Sequence, residues 1–293
     1  MTPKTLCALL FASGVVIGTL LDRAPARMPL RVDGYSILAG DFHVHAFPGD
    51  GALGPWALRD EARRAGLDVF ALTNHNQVVA ARLARWAARL TNGPIVLVGQ
   101  EVTNPDYHLI AVGIERTVNA DQPAAAAIAD VHAQGGVAIA AHPTTAFHGW
   151  DAAAMMTLDG AEAAHPIVHD SEVYRSDLEE FFQRTHQLNP RASPIGSSDT
   201  HVTPTLGECR TFVFVREASA AGVLDAIRNG RTVASDRDGR YYGDPDLVRL
   251  LERGTPAGRA DGSRVWRRAS LVLAWSGLLG MLLFGSSRGP TFS

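Results

Sequence analysis

Between residues 32 and 253 the chain alternates short apolar runs with segments of helical periodicity. Short apolar runs bounded by turn residues are typical of buried strands, and apolar residues three or four positions apart are typical of helices. One helical segment begins at Pro55, a residue suited to a first helical turn, and ends before Gly66. Alternating strands and helices predict a parallel sheet, and this many repeats favour a barrel over an open sheet. The predicted strands span residues 36–44, 67–73, 95–102, 108–114, 137–141, 160–164, 194–197 and 211–215.

Both ends of the chain carry uncharged apolar runs, Leu6–Leu21 and Ala269–Gly285. Each run approaches the ~17–25 residues with which a helix crosses a bilayer, so the sequence predicts a membrane segment at each end. A cleaved signal peptide is an alternative for the first run, because Ala24-Pro25-Ala26 has the form of a cleavage site. A buried core helix is a further alternative. Arginines between the two runs favour a cytoplasmic barrel, whereas a cleaved signal peptide would place the barrel outside the cytoplasm.

These boundaries divide the chain into four parts. Residues 1–31 are predicted to be a signal anchor or signal peptide with its flank, and 32–236 the barrel. Residues 237–268, which are rich in Gly, Asp, Pro and Arg, are predicted to be an exposed tether. Residues 269–285 are the predicted C-terminal transmembrane helix.

Composition narrows the classes of function. The 293 residues are 46% hydrophobic and carry a net charge of −3, which argues against a disordered chain. Because 27 basic residues face 30 acidic ones, binding to duplex nucleic acid is not expected. Two cysteines are too few for a disulfide-stapled fold or a Cys-rich zinc site. The 11 histidines are the remaining candidates for chemistry.

The histidines and several carboxylates lie at or near the ends of predicted strands. Asp41, His43 and His45 alternate at the end of the first strand, so their side chains are expected to share one face. The carboxyl ends of parallel barrel strands form the face on which active sites are built. A mixture of His and carboxylate ligands suits Zn, Mn or Fe, and more than four ligands imply more than one ion. The candidate ligands are His43, His45, Asp50, His75, Glu101, His108, His142, Asp199 and His201.

Six short motifs, DFHVHAFPGDG, LTNHN, VGQEV, HLIAVGI, AHP and SSDTH, follow one another along the chain. In this order they resemble the PHP (polymerase and histidinol phosphatase) superfamily, over the segment from Asp41 to about Ala234. The resemblance implies a distorted seven-stranded, TIM-like (β/α)7 barrel with two or three divalent metal ions. The segment RTFVFVREASAAGVLDAIRNGRTVA is most similar to the carbaryl hydrolase-like branch, and the first half also resembles small phosphodiesterases acting on nucleotides and RNA ends.

The resemblance also implies how the ligands are shared between ions, with Glu101 and Asp199 as the catalytic residues. The first metal would be held by His43, His45, Glu101 and Asp199; the second by Glu101, His108 and His142, with Glu101 bridging; the third by Asp50, His75 and His201.

Two positions depart from the family pattern. Asn74 stands where the family commonly has Asp, which predicts weaker support for His75. Asp50 stands where other branches often have His, which leaves the occupancy of the third metal site open.

Metals that lower the pKa of bound water provide a nucleophile without a Ser or Cys. The expected function is therefore a membrane-tethered metal-dependent hydrolase, most simply a phosphomonoesterase or phosphodiesterase using a metal-bridging hydroxide. A carboxylic ester or carbamate hydrolase and a non-catalytic metal-binding membrane module are the alternatives. The expected partners are a membrane and a small-molecule phosphate ester or other ester, nucleotides included. His148, His165 and His169 are candidates for contacting substrate or protonating a leaving group.

Overall fold

The protein, described here by a computed structural model, forms two compact units. The larger is Ala26–Ala257, and the smaller combines Met1–Pro25 with Gly258–Ser293. The structure describes residues 1–21, 29–89, 93–169, 172–202, 205–254 and 263–285.

The described residues of the larger unit form one sheet of eleven strands, ten of which make a continuous hydrogen-bonded path. The strands are β1 (Leu30–Val32), β2 (Tyr35–Val44), β3 (Val69–Leu72), β4 (Ile95–Asn104), β5 (Tyr107–Val112), β6 (Val137–Ala140), β7 (Gly160–Ala164), β8 (Ser193–Gly196), β9 (Arg210–Val215), β10 (Thr232–Ser235) and β11 (Tyr241–Gly243). The path runs β11-β10-β9-β2-β3-β4-β5-β6-β7-β8, and β1 pairs with β2.

The sheet is mixed rather than all parallel. Strands β2, β3 and β4 are parallel to one another, as are β6, β7 and β8. Strand β5 is antiparallel to both of its neighbours, and β9 is antiparallel to β2. Because β5 runs the opposite way, its first residues lie at the same edge as the last residues of β4 and β6.

The two ends of the sheet approach each other and nearly close a barrel. Beyond β8, the Asp199 amide donates to the His43 carbonyl at 2.9 Å, and the His45 amide donates to the Thr200 carbonyl at 3.0 Å. At the last residue of β8, the Gly196 amide donates to the hydroxyl of Thr211 in β9, and that hydroxyl donates to the Gly196 carbonyl, both at 2.9 Å. A Cβ at Gly196 would lie 2.4 Å from the Arg210 carbonyl oxygen, so only glycine permits this approach.

The observed fold corrects the predicted one in its strand count. The unit is a mixed α/β, nearly closed barrel with a ten-stranded path, consistent with a TIM-like barrel, where a distorted (β/α)7 barrel was predicted. The difference arises because β9, β10 and β11 continue the sheet past β2.

Seven helices accompany the sheet in the described part of the larger unit. Helix α2 begins at Pro55, as predicted, and Gly66 beyond its end has a φ of +72°. The helices are α2 (Pro55–Arg64), α3 (Val79–Ala88), α4 (Ala124–Ala133), α5 (Ala152–Thr157), α6 (Glu172–Leu188), α7 (Ala220–Arg228) and α8 (Pro245–Arg253).

Alternate strand residues separate the two largest clusters of the core, as the twofold period of a strand requires. One cluster lies between the sheet and the helices α2 to α5 and includes Phe70 and Leu109. The other fills the barrel and includes Phe42 and Ile110, together with residues of α7. Since Leu224 of α7 lies against the end of β5, α7 covers the end of the barrel opposite the start of that strand.

Residues 237–268, predicted to be a tether, contain regular structure. Strand β11 pairs with β10, and α8 follows it. The Asp244 carboxylate caps α8 by accepting from the Asp246 amide, and Pro245 occupies the first turn. Residues 255–262 lie outside the described part of the chain.

Where the structure describes the smaller unit, it contains two helices, α1 (Pro3–Leu21) and α9 (Ser263–Gly285). They pack closely through glycine: a Cβ at Gly14 would lie 2.4 Å from the Ala274 nitrogen, and one at Gly277 would lie 2.3 Å from the Phe11 nitrogen. Glycine therefore sets the spacing of this helix pair.

The membrane predictions are corrected by the helices of the structure. Among the described residues, no helix combines the length and the apolar character needed to cross a bilayer. The predicted membrane segments in 1–31 and 269–285, and the membrane location inferred from them, are therefore wrong. The proposed cleavage sequence Ala24-Pro25-Ala26 lies outside the described residues.

Candidate metal centre

One edge of the barrel collects the predicted ligands because strand direction places them there. His43 lies near the end of β2, His45 just beyond it, and Glu101 lies in the second half of β4. His142 follows β6, and Asp199 follows β8. His108 reaches the same edge from the start of β5, since that strand is antiparallel to its neighbours.

Four buried ligand atoms surround one point at this edge. His43 Nε2 lies 3.2 Å from both Glu101 Oε2 and Asp199 Oδ1. His45 Nε2 lies 3.3 Å and 3.1 Å from the same two oxygens. None of these four atoms has a hydrogen-bond partner among the described residues. Ligand atoms held about 2.0–2.2 Å from one ion lie about 3–3.5 Å apart, so the spacing fits a divalent metal.

A second cluster uses the other oxygen of Glu101. Glu101 Oε1 lies 2.7 Å from His108 Nδ1 and 3.3 Å from His142 Nε2. The Glu101 side chain is 1% exposed and contributes one oxygen to each cluster. Its position therefore allows it to bridge two ions.

A third cluster forms around Asp50. Asp50 Oδ2 lies 3.1 Å from His75 Nε2 and 3.2 Å from His201 Nε2. Asp50 Oδ1 lies 3.1 Å from His45 Nδ1, so the same carboxylate also contacts a residue of the first cluster. His75 Nδ1 lies 2.8 Å from Glu101 Oε2, which joins the third cluster to the other two.

Glu162 and His165 join the site, and Glu162 is a residue that sequence reasoning missed. Glu162 is fully buried in β7; its Oε1 lies 3.0 Å from His43 Nδ1, and its Oε2 accepts from the His142 amide at 2.6 Å. A carboxylate on Nδ1 of a histidine orients the ring and leaves Nε2 free to bind a metal. A single acidic residue within the apolar strand GAEAA was the available signal.

His165 presents an N–H group to the cluster. Its Nδ1 accepts a hydrogen bond from the Ile167 amide at 3.1 Å, so a proton on the neutral ring is on Nε2. His165 Nε2 lies 3.6 Å from Asp199 Oδ2, is buried, and has no hydrogen-bond partner among the described residues. His148, also considered from sequence, is exposed, and the His169 side chain lies outside the described residues.

The buried charges of the first cluster hold one another in their ionised forms. Burial acts to lower the pKa of His43, but Asp199, Glu101 and Glu162 hold that pKa well above its usual value. Burial likewise acts to lower the pKa of His45, yet the adjacent carboxylates of Asp199 and Glu101 raise it to about 9. Against the effect of burial, His43 keeps the pKa values of Glu101 and Asp199 low. A divalent cation would replace the protons on the imidazoles as the balancing positive charge.

Two site residues have left-handed backbone conformations. His142 has a φ of +27° and Asp199 a φ of +49°. Such conformations cost about 1–3 kcal/mol for a residue other than glycine and persist where surrounding contacts impose them. Here the His142 amide is held by Glu162, and the Asp199 amide is held by the His43 carbonyl.

Asn74 supports a loop rather than His75. Its side-chain oxygen accepts from the Ala46 amide at 2.9 Å, and its nitrogen donates to the carbonyls of Ala46 at 2.6 Å and Pro48 at 3.2 Å. His75 is instead hydrogen bonded through Nδ1 to the Thr103 hydroxyl at 2.6 Å. The loop that leads to Asp50 is therefore fixed by an amide.

Asp41, the third polar residue of the first strand motif, also has a supporting position. Its carboxylate accepts from the amides of Ser198 at 3.1 Å and Gly207 at 2.8 Å. Burial raises the pKa of Asp41. Asp41 thus holds the segment that carries Asp199.

Taken together, the geometry defines an α/β barrel with a candidate polynuclear metal centre at one edge. Residues 192–232 match a PHP-associated family model. No match to the chain is found among curated proteins. The resemblance to the PHP superfamily is confirmed by the family-model match and by the barrel fold, while the carbaryl hydrolase-like branch is not shown.

The chain also matches solved structures. A two-domain protein of Bacteroides vulgatus ATCC 8482, described as containing a predicted PHP-like metal-dependent phosphoesterase, is 24% identical; the match covers 81% of this chain and 78% of that chain with a TM-score of 0.61. A candidate metal-dependent phosphoesterase of Bifidobacterium adolescentis ATCC 15703 is 17% identical, with 74% and 97% coverage and a TM-score of 0.43. An amidohydrolase from Chromobacterium violaceum is 16% identical, with 76% and 99% coverage and a TM-score of 0.41.

Proposed function

We propose that this protein is a metal-dependent hydrolase that cleaves phosphate esters. The observation that carries the proposal is the set of four buried, unpartnered ligand atoms on His43, His45, Glu101 and Asp199. Two adjoining clusters share residues with it, which supports a centre of two or three divalent ions, Zn, Mn or Fe.

The charge of the site favours a phosphate over a neutral ester. The site contains four carboxylates: Asp50, Glu101 and Asp199 in the three clusters, and Glu162 against His43. The remaining members of the clusters are histidines, which bind metals in their neutral form. Two divalent ions would neutralise these four charges, and a third would leave a net charge of two positive. A site with that charge attracts a phosphomonoester dianion.

The residues have distinct functions in this proposal. Bound ions would supply an activated water and positive charge for the substrate oxygens. Glu101 would hold an ion with each of its two oxygens, and Glu162 keeps Nε2 of His43 directed at the first cluster. His165 directs its Nε2–H toward the cluster from the side of Asp199, a position from which it can donate to a substrate oxygen.

The test is metal analysis combined with a substrate panel. The purified full chain is loaded with Zn, Mn or Fe and assayed on p-nitrophenyl phosphate, bis-p-nitrophenyl phosphate and p-nitrophenyl acetate. We expect phosphate ester hydrolysis that chelation abolishes and metal restores. His45→Ala should lose both metal and activity, whereas His186→Ala, a change of an exposed histidine on α6, should lose neither.

Two results would contradict the proposal. Hydrolysis of the acetate alone would exclude the phosphoesterase function and favour a carboxylic ester hydrolase. Metal binding without hydrolysis of any member of the panel would favour a non-catalytic metal-binding module.

A further inference from the structure

A cavity of about 350 Å³ lies beside the candidate metal centre. It is bounded by the segment that follows His142, by Met155 of α5 and by one face of α6. Its size is within the range of pockets that hold small organic molecules.

The cavity and the metal centre share one wall. Phe147 lines the cavity, and its ring centroid lies 4.8 Å from that of His108 and 5.7 Å from that of His142. Both histidines belong to the second cluster. A group bound in this cavity would therefore be separated from His108 and His142 only by the ring of Phe147.

One side of the cavity is aromatic. Phe147, Trp150 and Phe181 line it, and the rings of Trp150 and Phe181 meet edge to face with centroids 5.7 Å apart. Aromatic walls of this kind favour flat rings in offset or edge-to-face contact.

The other side is polar. Asp177 and Glu180 line it together with Arg184 and His148, and two basic side chains beside two carboxylates do not form the cluster of basic groups that a phosphate requires. Asp177 Oδ2 accepts from the amide and the hydroxyl of Thr145, both at 2.9 Å. Asp177 Oδ1 accepts no hydrogen bond from a described residue, which leaves it able to receive an N–H or O–H group.

We infer that this cavity binds the leaving group of the substrate, and that this group is a flat aromatic ring bearing hydrogen-bond donors. The inference rests on the proposed phosphoesterase function, with the phosphate held at the metals. The aromatic wall stacks against the ring, and Asp177 accepts from its donor.

The test measures how variants change selectivity between leaving groups. Values of kcat/KM are measured for 3-aminophenyl phosphate, phenyl phosphate and β-glycerophosphate, which carry a donor-bearing ring, a plain ring and an alkyl group. Comparing each variant with the wild type cancels the intrinsic reactivity of the three esters. Phe181→Ala should lower the ratio of phenyl phosphate to β-glycerophosphate by about tenfold.

Two further variants separate the aromatic and acidic contributions. Asp177→Asn keeps an oxygen that can accept from Thr145 but replaces the second oxygen, the proposed acceptor for the ring's donor, with an NH2 group. It should therefore lower the ratio of kcat/KM for 3-aminophenyl phosphate to that for phenyl phosphate by about tenfold. Phe182→Ala is the matched control, because Phe182 is the next residue of α6 and lines a different cavity. It should leave both ratios unchanged. In wild-type protein, 3-aminophenol should inhibit competitively and glycerol should not.

Failure of the inference can be distinguished from failure of the proposed function. Hydrolysis of all three phosphates, with ratios that Phe181→Ala and Asp177→Asn leave unchanged, would overturn the leaving-group site alone. Equal inhibition by 3-aminophenol and glycerol would overturn it without any variant. Absence of hydrolysis of every phosphate would overturn both.

Discussion

Replacing Glu162 by Gln should weaken metal binding without removing any metal ligand. In the structure Glu162 Oε1 lies 3.0 Å from His43 Nδ1, and Oε2 accepts from the His142 amide at 2.6 Å. The amide proton of His142 is fixed, so Gln must place its oxygen there and its NH2 group against His43. That arrangement requires His43 to accept through Nδ1, which moves its proton to Nε2 and blocks the atom that faces the metal.

The size of the effect follows from the burial of Glu162. Its side chain is 0% exposed, so water cannot replace the lost contact. Loss of a hydrogen bond to a charged group costs about 1.5–3 kcal/mol, which corresponds to about 10–100-fold in affinity. Measured losses for residues that support metal ligands fall in the same range of about 10–100-fold.

The assay is competition for Zn²⁺ between the protein and a chelating dye, with wild type, Glu162→Gln and Glu252→Gln compared. Glu252 is exposed on α8 and serves as the control for a lost carboxylate. Nitrogen NMR of the His43 ring should show the proton on Nδ1 in metal-loaded wild type and on Nε2 in metal-free Glu162→Gln. A Zn²⁺ affinity within about threefold of wild type, with the His43 proton still on Nδ1, would refute the reasoning.

Three other changes test separate features. Glu101→Gln should reduce turnover by at least ~10²-fold, more than His108→Ala does, because Glu101 belongs to two clusters. Steady-state rates near those of the wild type in Glu101→Gln would exclude the bridging role. Asn74→Asp should place a carboxylate oxygen against the carbonyl oxygens of Ala46 and Pro48, which destabilises the loop by about 1–3 kcal/mol. The variant should therefore bind fewer metal ions per chain, and a wild-type metal content would contradict this. Burial raises the pKa of Cys209 to about 12, so the thiol stays protonated below that pH. At pH 8, in a Cys7→Ser background, it should react with a disulfide reagent about 10³-fold more slowly than in guanidinium, and fast labelling of the native protein would be inconsistent with that pKa.

The site residues that could be predicted are those that a local sequence pattern places at the end of a strand. His43 and His45 alternate on one strand, and Glu101 and Asp199 follow apolar runs, so strand direction alone brings them to one edge. The single acid in GAEAA marks Glu162 as unusual, but its role depends on His43, 119 positions away, and no local pattern reveals that partner.

Other differences have their own physical causes. The alternation at the end of β2 predicted a common face for the side chains of Asp41, His43 and His45. In the structure the pairing of β2 with β3 shifts register between Asp41 and Val44, and the Asp41 carboxylate accepts from the Ser198 amide instead. Asp244-Pro245 is a typical start of a helix, and α8 begins there. An exposed tether was predicted from the sequence instead, because the surrounding residues are rich in Gly, Asp, Pro and Arg. At the chain ends, uncharged apolar runs of nearly spanning length predicted membrane segments that the described helices do not support.

The backbone ladder between β2 and the segment beyond β8 has a consequence for biosynthesis. His43 and His45 leave the ribosome more than 150 residues before Asp199 and Thr200, whose backbone groups hydrogen bond to theirs. A nascent chain therefore presents two histidines long before it can complete the coordination of an ion. Full-affinity metal binding becomes possible only when the first and last strands of the closure meet, so ion capture by a growing chain would mark the moment at which the barrel closes.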